Sequence, residues 1–290
     1  SRFVQSGDLL WHCQRGGPAS AEKLLLLHGT GASTHSYRDA FATLIQDYDV
    51  LAIDLPGHGF TQTAPSAKLS LPGMAKAVAT LLANLSFEPT AAVGHSAGAA
   101  ILLQMALTGA ITPNVIIGLN AALKPIEGNA FLAPLAKMLF INPLTPRLFA
   151  MQARYTQSAD TLLAATNSDI DAAARANYRA LMANPAHVNG ALGMMANWDL
   201  KPLIENLGAL QTDVRLVVAR DDKMVPPDVS RETVKRLRNS RLIEHETGGH
   251  LLHEISPNVI AAALNADPAS NSNAPTAPTA PAPSLQRAAQ

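Results

Sequence analysis

Cysteine occurs once in 290 residues, as Cys13, so no intrachain disulfide can form. A reducing, cytoplasmic setting is the expectation, with a disulfide-free exported chain as the other option. Net charge is as scarce: 22 Lys+Arg balance 22 Asp+Glu, and no long basic run breaks the balance. That argues against a nucleic-acid binder, which needs clustered phosphate-neutralising charge. No stretch approaches the ~18 continuous apolar residues of a membrane-spanning helix. The opening residues do not read as a secretory leader, although a start at Ser1 rather than Met leaves room for one upstream. Cofactor signatures are missing too. There is no G-x-x-x-x-G-K-[ST] phosphate loop, no H-E-x-x-H pair and no dinucleotide-type G-x-G-x-x-G. His245, His250 and His253 cluster, but without cysteine or further ligands they do not make a zinc site. Neither a cofactor nor a metal is expected.

What is present is apolar: 48% of the residues are hydrophobic, enough for a well-buried core. Phe3-Val4 and Leu9 to Cys13 read as an opening hairpin around Ser6-Gly7-Asp8. Apolar strands follow at Lys23 to Leu27, Val50 to Asp54, Thr90 to Val93, Val115 to Leu119 and Val214 to Val218, with a further strand at Arg241 to Glu246. Helical patterns separate them at Ser36 to Gln46, Leu71 to Leu85, Ala99 to Leu107, Pro227 to Leu237 and Pro257 to Leu264. This alternation predicts an α/β fold, a mostly parallel sheet with helices on both faces.

The rhythm breaks between Ala122 and Trp198, where several helices follow with no strand, the pattern of an inserted helical cap. The division expected is a first core part over 1–121, a cap over 122–199, a second core part over 200–266 and a Pro/Ala-rich disordered tail over 267–290. Phe131 to Met151 is nearly uncharged and cut by Pro134, Pro143 and Pro146. It reads as the packed underside of the cap, with a lipophilic-substrate lining or a membrane-surface contact as sharper alternatives.

The chemistry concentrates in Gly94-His95-Ser96-Ala97-Gly98, which fits G-x-S-x-G between a strand and a helix. Such a turn presents a serine as nucleophile and tolerates only small neighbours. A serine needs a base, and the base needs an orienting carboxylate, here in the chain order Ser, acid, His. Asp222 follows strand Val214 to Val218 and precedes Val225-Pro226 by three residues. Its neighbour Asp221 is the rival acid. His250 follows Thr247-Gly248-Gly249, and His253 is the rival base. The oxyanion would rest on the N–H groups of Ala97 and of Thr30, in the loop His28-Gly29-Thr30-Gly31. His28 is read as structural, as are Asp54 and His58 in the turn Asp54 to Gly59.

In this order the four motifs resemble the α/β-hydrolase superfamily over roughly Phe3 to Leu264. His28 to Asp39, Asp54 to Thr61, Leu69 to Met74, Gly94 to Ala100 and Gly190 to Leu200 are similar to one branch of it. That branch comprises the α/β-fold proteins of photosynthetic bacteria known as magnesium chelatase accessory proteins. The resemblance implies a role near magnesium insertion into protoporphyrin IX in bacteriochlorophyll synthesis, with a tetrapyrrole or chelatase subunits as partners. Two features depart from the superfamily pattern: Ala219 stands where a glycine commonly precedes the acid, and the tail has no counterpart in the fold. Hydrolysis of an ester or related acyl bond in a hydrophobic small molecule is the leading expectation. A non-catalytic tetrapyrrole-binding or accessory role and carbon–carbon bond hydrolysis remain as alternatives.

Overall fold

The computed structural model describes residues 1–124, 142 and 144–267. The opening hairpin is β1 (Arg2–Ser6) and β2 (Leu9–Gly16), turning at Gly7 with φ +58°. β3 (Glu22–Leu27), a 3-10 turn over Thr34–Tyr37, α1 (Arg38–Leu44) and β4 (Tyr48–Ile53) follow. The helix expected over Ser36 to Gln46 is thus split, because the Ser33 hydroxyl caps the 3-10 turn at its start. α2 (Leu71–Asn84) is capped by Ser70, with Pro72 in its first turn, where a missing N–H costs nothing. β5 (Ala91–His95), α3 (Ala97–Leu107) and β6 (Val115–Leu119) complete the first half.

After β6 the described residues are helical: α4 (Thr145–Tyr155), α5 (Ser158–Ala165), α6 (Ala172–Met182) and α7 (Pro185–Ala196), then α8 (Lys201–Asn206). Most of the uncharged stretch Phe131 to Met151 lies outside the described residues, as does nearly all of the tail. The chain returns to the sheet with β7 (Asp213–Ala219), α9 (Asp228–Val234), β8 (Ser240–His245), α10 (Leu252–Ile255) and α11 (Asn258–Asn265). α9 is shorter than the expected Pro227 to Leu237, and β8 begins one residue before Arg241.

The eight strands form one sheet in the order β1-β2-β4-β3-β5-β6-β7-β8. Only the pairs made by β2 are antiparallel, and every pair from β4 to β8 is parallel. Strand residues alternate between two cores. Leu25, Leu27, Leu51 and Ile53 pack with α2, α3 and α8, while Leu24, Leu26, Val50 and Ala52 pack with α1, α10 and α11. The four leucines of β3 are fully buried, and each contributes roughly 1.5–3 kcal/mol of apolar burial.

Two of the contacts that hold the helices between β6 and β7 to the sheet layers stand out. At Gly57 and Gly190 the backbones touch: a Cβ on Gly190 would lie 2.0 Å from Gly57 O. Elsewhere Glu254 on α10 accepts hydrogen bonds from the hydroxyls of Ser36 and Tyr178, both at 2.6 Å, with Tyr178 on α6. Burial is the main influence on this carboxyl and, against the two hydrogen bonds, holds its pKa up at about 7.

Two outcomes are expected. Gly190→Ala forces α7 off the Gly57 turn and destabilises by about 1–3 kcal/mol, read as a lower Tm. An unchanged Tm would show that the contact yields freely. Glu254 binds its proton more tightly in the fold than in the unfolded chain, where its ordinary value is 4.5. Its contribution to stability therefore falls as pH rises from 4.5 through about 7 and is level beyond. Glu254→Gln should remove that slope, so the variant gains Tm relative to wild type at pH 8 compared with pH 5. Equal Tm differences at the two pH values would disprove the assignment.

Candidate active site

Ser96 joins β5 to α3 with φ +50° and ψ −115°, a conformation an L-residue adopts only under constraint. The constraint is visible on both sides. Ser96 N–H donates to Leu119 O at 2.9 Å, and Ser96 O accepts from Ala99 and Ala122 N–H at 3.2 Å each. A Cβ on Gly94 would meet Ala99 N at 2.4 Å, and one on Gly98 would meet Leu27 O at 2.3 Å. The glycines of the motif are therefore steric necessities. The serine itself is half-buried, and among the described residues its hydroxyl makes no hydrogen bond.

Asp222 and His250 are brought together. His250 Nδ1 lies 2.8 Å from Asp222 Oδ2, and both residues are buried. The other carboxylate oxygen, Oδ1, accepts from Met224 and Val225 N–H at 2.8 and 2.9 Å. An acceptor-only carboxylate requires the proton on Nδ1, which leaves Nε2 with a free lone pair. Asp221 faces elsewhere: its Oδ1 accepts from Gly249 N–H at 2.8 Å and its Oδ2 from Asn167 Nδ2 at 3.1 Å. Ala219, which departs from the superfamily pattern, ends β7 with its N–H donating to Asn120 Oδ1 at 2.9 Å.

The loop after β3 lies against the serine turn. A Cβ on Gly29 would lie 3.0 Å from Ser96 Cβ and 2.9 Å from His95 Nδ1. Among the described residues the N–H groups of Thr30 and Ala97 have no hydrogen-bond partner. Ala97 opens α3, so its N–H also lies at the positive end of a helix dipole. The Thr30 hydroxyl donates to Met194 Sδ at 3.2 Å, bringing α7 over this loop.

The remaining histidines are held by the fold. His28 Nδ1–H donates to Gly29 O at 2.8 Å and its Nε2 accepts from Leu55 N–H at 2.9 Å, while burial lowers its pKa. His58 is fully buried, with Nδ1 3.1 Å from Pro56 O, and burial drives its pKa well down. His253 Nε2 lies 2.8 Å from Ser36 Oγ, and burial, then the nearby His250 and His35, bring its pKa to about 3. His95 meets His250 O through Nε2 at 2.9 Å. Asp54 accepts from Thr34 N–H, Phe60 N–H and His12 Nδ1 at 2.7, 2.9 and 2.8 Å. Burial would raise its pKa, but the hydrogen bond with His12 and the other neighbours bring it to about 2.

Four residues of this neighbourhood were not singled out in the sequence. Asn120 bridges the acid and histidine loops, donating to Gly249 O and His250 O at 2.9 Å each. Its place at the carboxyl end of β6 was the available signal. His187 on α7 lies with Nε2 3.1 Å from Gly31 O and accepts from Gly59 N–H through Nδ1 at 3.0 Å. Burial lowers its pKa to about 4, so it is neutral there. Asn167 and Ser168, between α5 and α6, carry no local signal. A cavity of about 740 Å³ with largely apolar walls lies among the inserted helices, bounded by Phe149, Leu162, Met182, Leu192 and Met195. It reaches the loop after β3 at Gly31, and neither Ser96 nor His250 is among its described lining residues.

The family model described as alpha/beta hydrolase fold matches residues 23–257. The magnesium-chelatase 30 kDa subunit of Rhodobacter capsulatus is 39% identical over 252 residues, covering 86% of this chain and 88% of that protein. A candidate carbamate hydrolase, RutD, of Pseudomonas savastanoi pv. phaseolicola is 28% identical over 244 residues, covering 82% of this chain and 90% of that one. Among solved structures, an alpha/beta hydrolase fold protein from Burkholderia ambifaria superposes with a TM-score of 0.74 at 21% identity, covering 89% of this chain and 93% of its own. The enol-lactonase of Burkholderia xenovorans LB400 does so with 0.71 at 16%, covering 91% and 98%. At such identities the structural likeness speaks for the fold alone. The family match, over most of the chain, carries the conclusion: this protein belongs to the α/β-hydrolase fold family.

Proposed function

We propose that the protein is a serine hydrolase acting on an ester or related acyl bond of a hydrophobic substrate. Ser96 is the nucleophile, His250 the base and Asp222 its orienting acid, with Ala97 and Thr30 N–H as the oxyanion donors. The bond between His250 Nδ1 and Asp222 carries this reading, because it leaves Nε2 as the free acceptor a serine proton needs. In the reaction the Ser96 oxygen bonds to the carbonyl carbon while its proton passes to His250 Nε2. The tetrahedral oxyanion rests on the two N–H groups, where one donor is worth roughly 3 kcal/mol of barrier. Collapse breaks the bond to the leaving group, which takes the proton from His250. Water then repeats the sequence on the acyl-enzyme and frees Ser96.

The segment over 122–199, which holds α4 to α7, is the proposed cap, and its cavity of about 740 Å³ is of ligand-binding size. Its apolar walls support a hydrophobic substrate. The 39% identical relative, named as a magnesium-chelatase subunit, supports a role close to magnesium chelation in bacteriochlorophyll synthesis, with a tetrapyrrole ester as the substrate class. The same name favours a second reading, in which the cavity holds a tetrapyrrole or the protein assists the chelatase without turnover. Carbon–carbon bond hydrolysis would use the same three side chains. A cytoplasmic protein, meeting a membrane surface through the cap at most, fits each reading; no described helix is long and apolar enough to cross a membrane.

A fluorophosphonate probe is expected to label Ser96 in the wild type and to leave Ser96→Ala unlabelled. Asp222→Asn, which destroys the Nδ1 tautomer, should slow labelling by about 10³-fold or more. In a strain whose pigment depends on this protein, Ser96→Ala should block pigment formation. Full pigment recovery by Ser96→Ala would favour the non-catalytic reading.

A further inference from the structure

The loop that carries His250 is bonded on almost every side, and two of its partners, Thr166 and Ser168, come from the helical insertion. His250 N–H donates to Thr166 O at 2.8 Å. Leu251 N–H donates to Ser168 Oγ at 2.9 Å, and Ser168 Oγ donates in turn to Gly248 O at 2.9 Å. Gly249 N–H donates to Asp221 Oδ1, and Asp221 is itself held by Asn167, whose side-chain amide donates to Asp221 O and Oδ2 at 3.0 and 3.1 Å. Of the two glycines before His250, Gly249 makes room for this contact. Gly249 has φ +61°, and a Cβ there would lie 2.3 Å from Asn167 O and 2.5 Å from Ser168 Oγ. Asn167 has φ +55°, the left-handed conformation that turns its backbone and amide toward the core.

We propose that Asn167, Ser168 and Asp221 are positioning residues for His250, so that the turn between α5 and α6 sets the orientation of the base. The inference rests on reading His250 as that base. It gives the two adjacent aspartates different roles, since Asp222 fixes the imidazole and Asp221 fixes the peptide that carries it. With the N–H groups of Gly249, His250 and Leu251 all committed, the loop cannot shift without breaking hydrogen bonds to Thr166, Ser168 or Asp221. A displacement of the α5–α6 turn is therefore transmitted to the imidazole.

The test uses the full chain and two readouts. One is the downfield proton resonance of His250 Nδ1–H, assigned by its loss in Asp222→Asn. The other is the rate of fluorophosphonate labelling at Ser96, with kcat and KM on a p-nitrophenyl ester. Asn167→Gly removes the amide while keeping a residue at ease at positive φ, so folding is spared. Asn167→Gly and Ser168→Ala should each slow labelling and lower kcat by roughly tenfold or more, with KM within about twofold. Their Nδ1–H resonance should broaden through faster exchange. Asp221→Asn, which keeps an acceptor for Gly249 N–H, should recover labelling relative to Asp221→Ala. A sharp wild-type resonance and wild-type labelling in both Asn167→Gly and Ser168→Ala would overturn the proposal. So would loss of the resonance in Asp221→Asn as complete as in Asp222→Asn, since Asp221 would then be the acid. If wild-type Ser96 does not label, the hydrolase reading fails, and the resonance alone still decides whether the insertion holds His250.

Discussion

The close approach of α3 to the end of β3 is the contact on which the rest of the site depends. Gly98 lies so near Leu27 O and His28 O that a single Cβ would collide with both. That approach pulls the helix start down onto the sheet and leaves Ser96 at φ +50°. Backbone strain of this kind costs about 1–3 kcal/mol, and the surroundings must over-determine it. Here they do: β6 accepts the Ser96 N–H, two N–H groups bind its carbonyl, and the helix behind it is buried from Ala97 to Leu103. The same approach sets the Thr30 loop beside Ser96. One steric fact thus lifts the hydroxyl and gathers near it two N–H groups that have no partner among the described residues.

Histidine is used here mainly as a neutral hydrogen-bonding spacer. His28, His58, His187 and His253 all have pKa values lowered first by burial, and each has at least one ring nitrogen bonded to its surroundings. In a low dielectric an unpaired imidazolium would be costly, so neutrality is the stable solution. His250 differs in its partner. A buried carboxylate on Nδ1 fixes one tautomer. Asp54 repeats this arrangement elsewhere in the fold. It too is buried and is met by a histidine Nδ1, that of His12, and by the Thr34 and Phe60 N–H groups, and it serves to fold the turn that carries His58.

Much of this was legible in the sequence because short-range patterns carry it. Apolar runs in β3 to β7 marked buried parallel strands, and the glycines around Ser96 marked a turn that no larger residue could make. Asp222 was preferred over its rival Asp221 by its spacing to Val225-Pro226, and it is Asp222 that hydrogen-bonds His250. Ends of helices were less legible. α1 starts late because Ser33 caps a 3-10 turn ahead of it, a choice made by one side-chain bond. Asn167, Ser168 and His187 were invisible for a different reason. Each is a polar residue whose meaning lies in partners distant in sequence, and no local periodicity reports such a bond.

Those distant bonds explain why an insertion between β6 and β7 can influence chemistry on the sheet. The chain leaves the sheet beside the serine, where Ala122 N–H meets Ser96 O. It passes under the histidine loop at Thr166 to Ser168, and crosses the Thr30 loop at His187 and Met194 before returning to β7. One continuous segment therefore touches all three regions from which the proposed nucleophile, base and oxyanion donors come. The cavity lies within that segment and reaches Gly31, the residue after Thr30. A molecule that filled it would press on helices already bonded to the loops of the proposed triad. Differential binding needs such a connection, because only contacts that strengthen as the bond breaks accelerate the step. On the proposed reading, the helices that shape the cavity would also be mounts for the chemistry, with substrate fit and catalytic geometry set by the same packing.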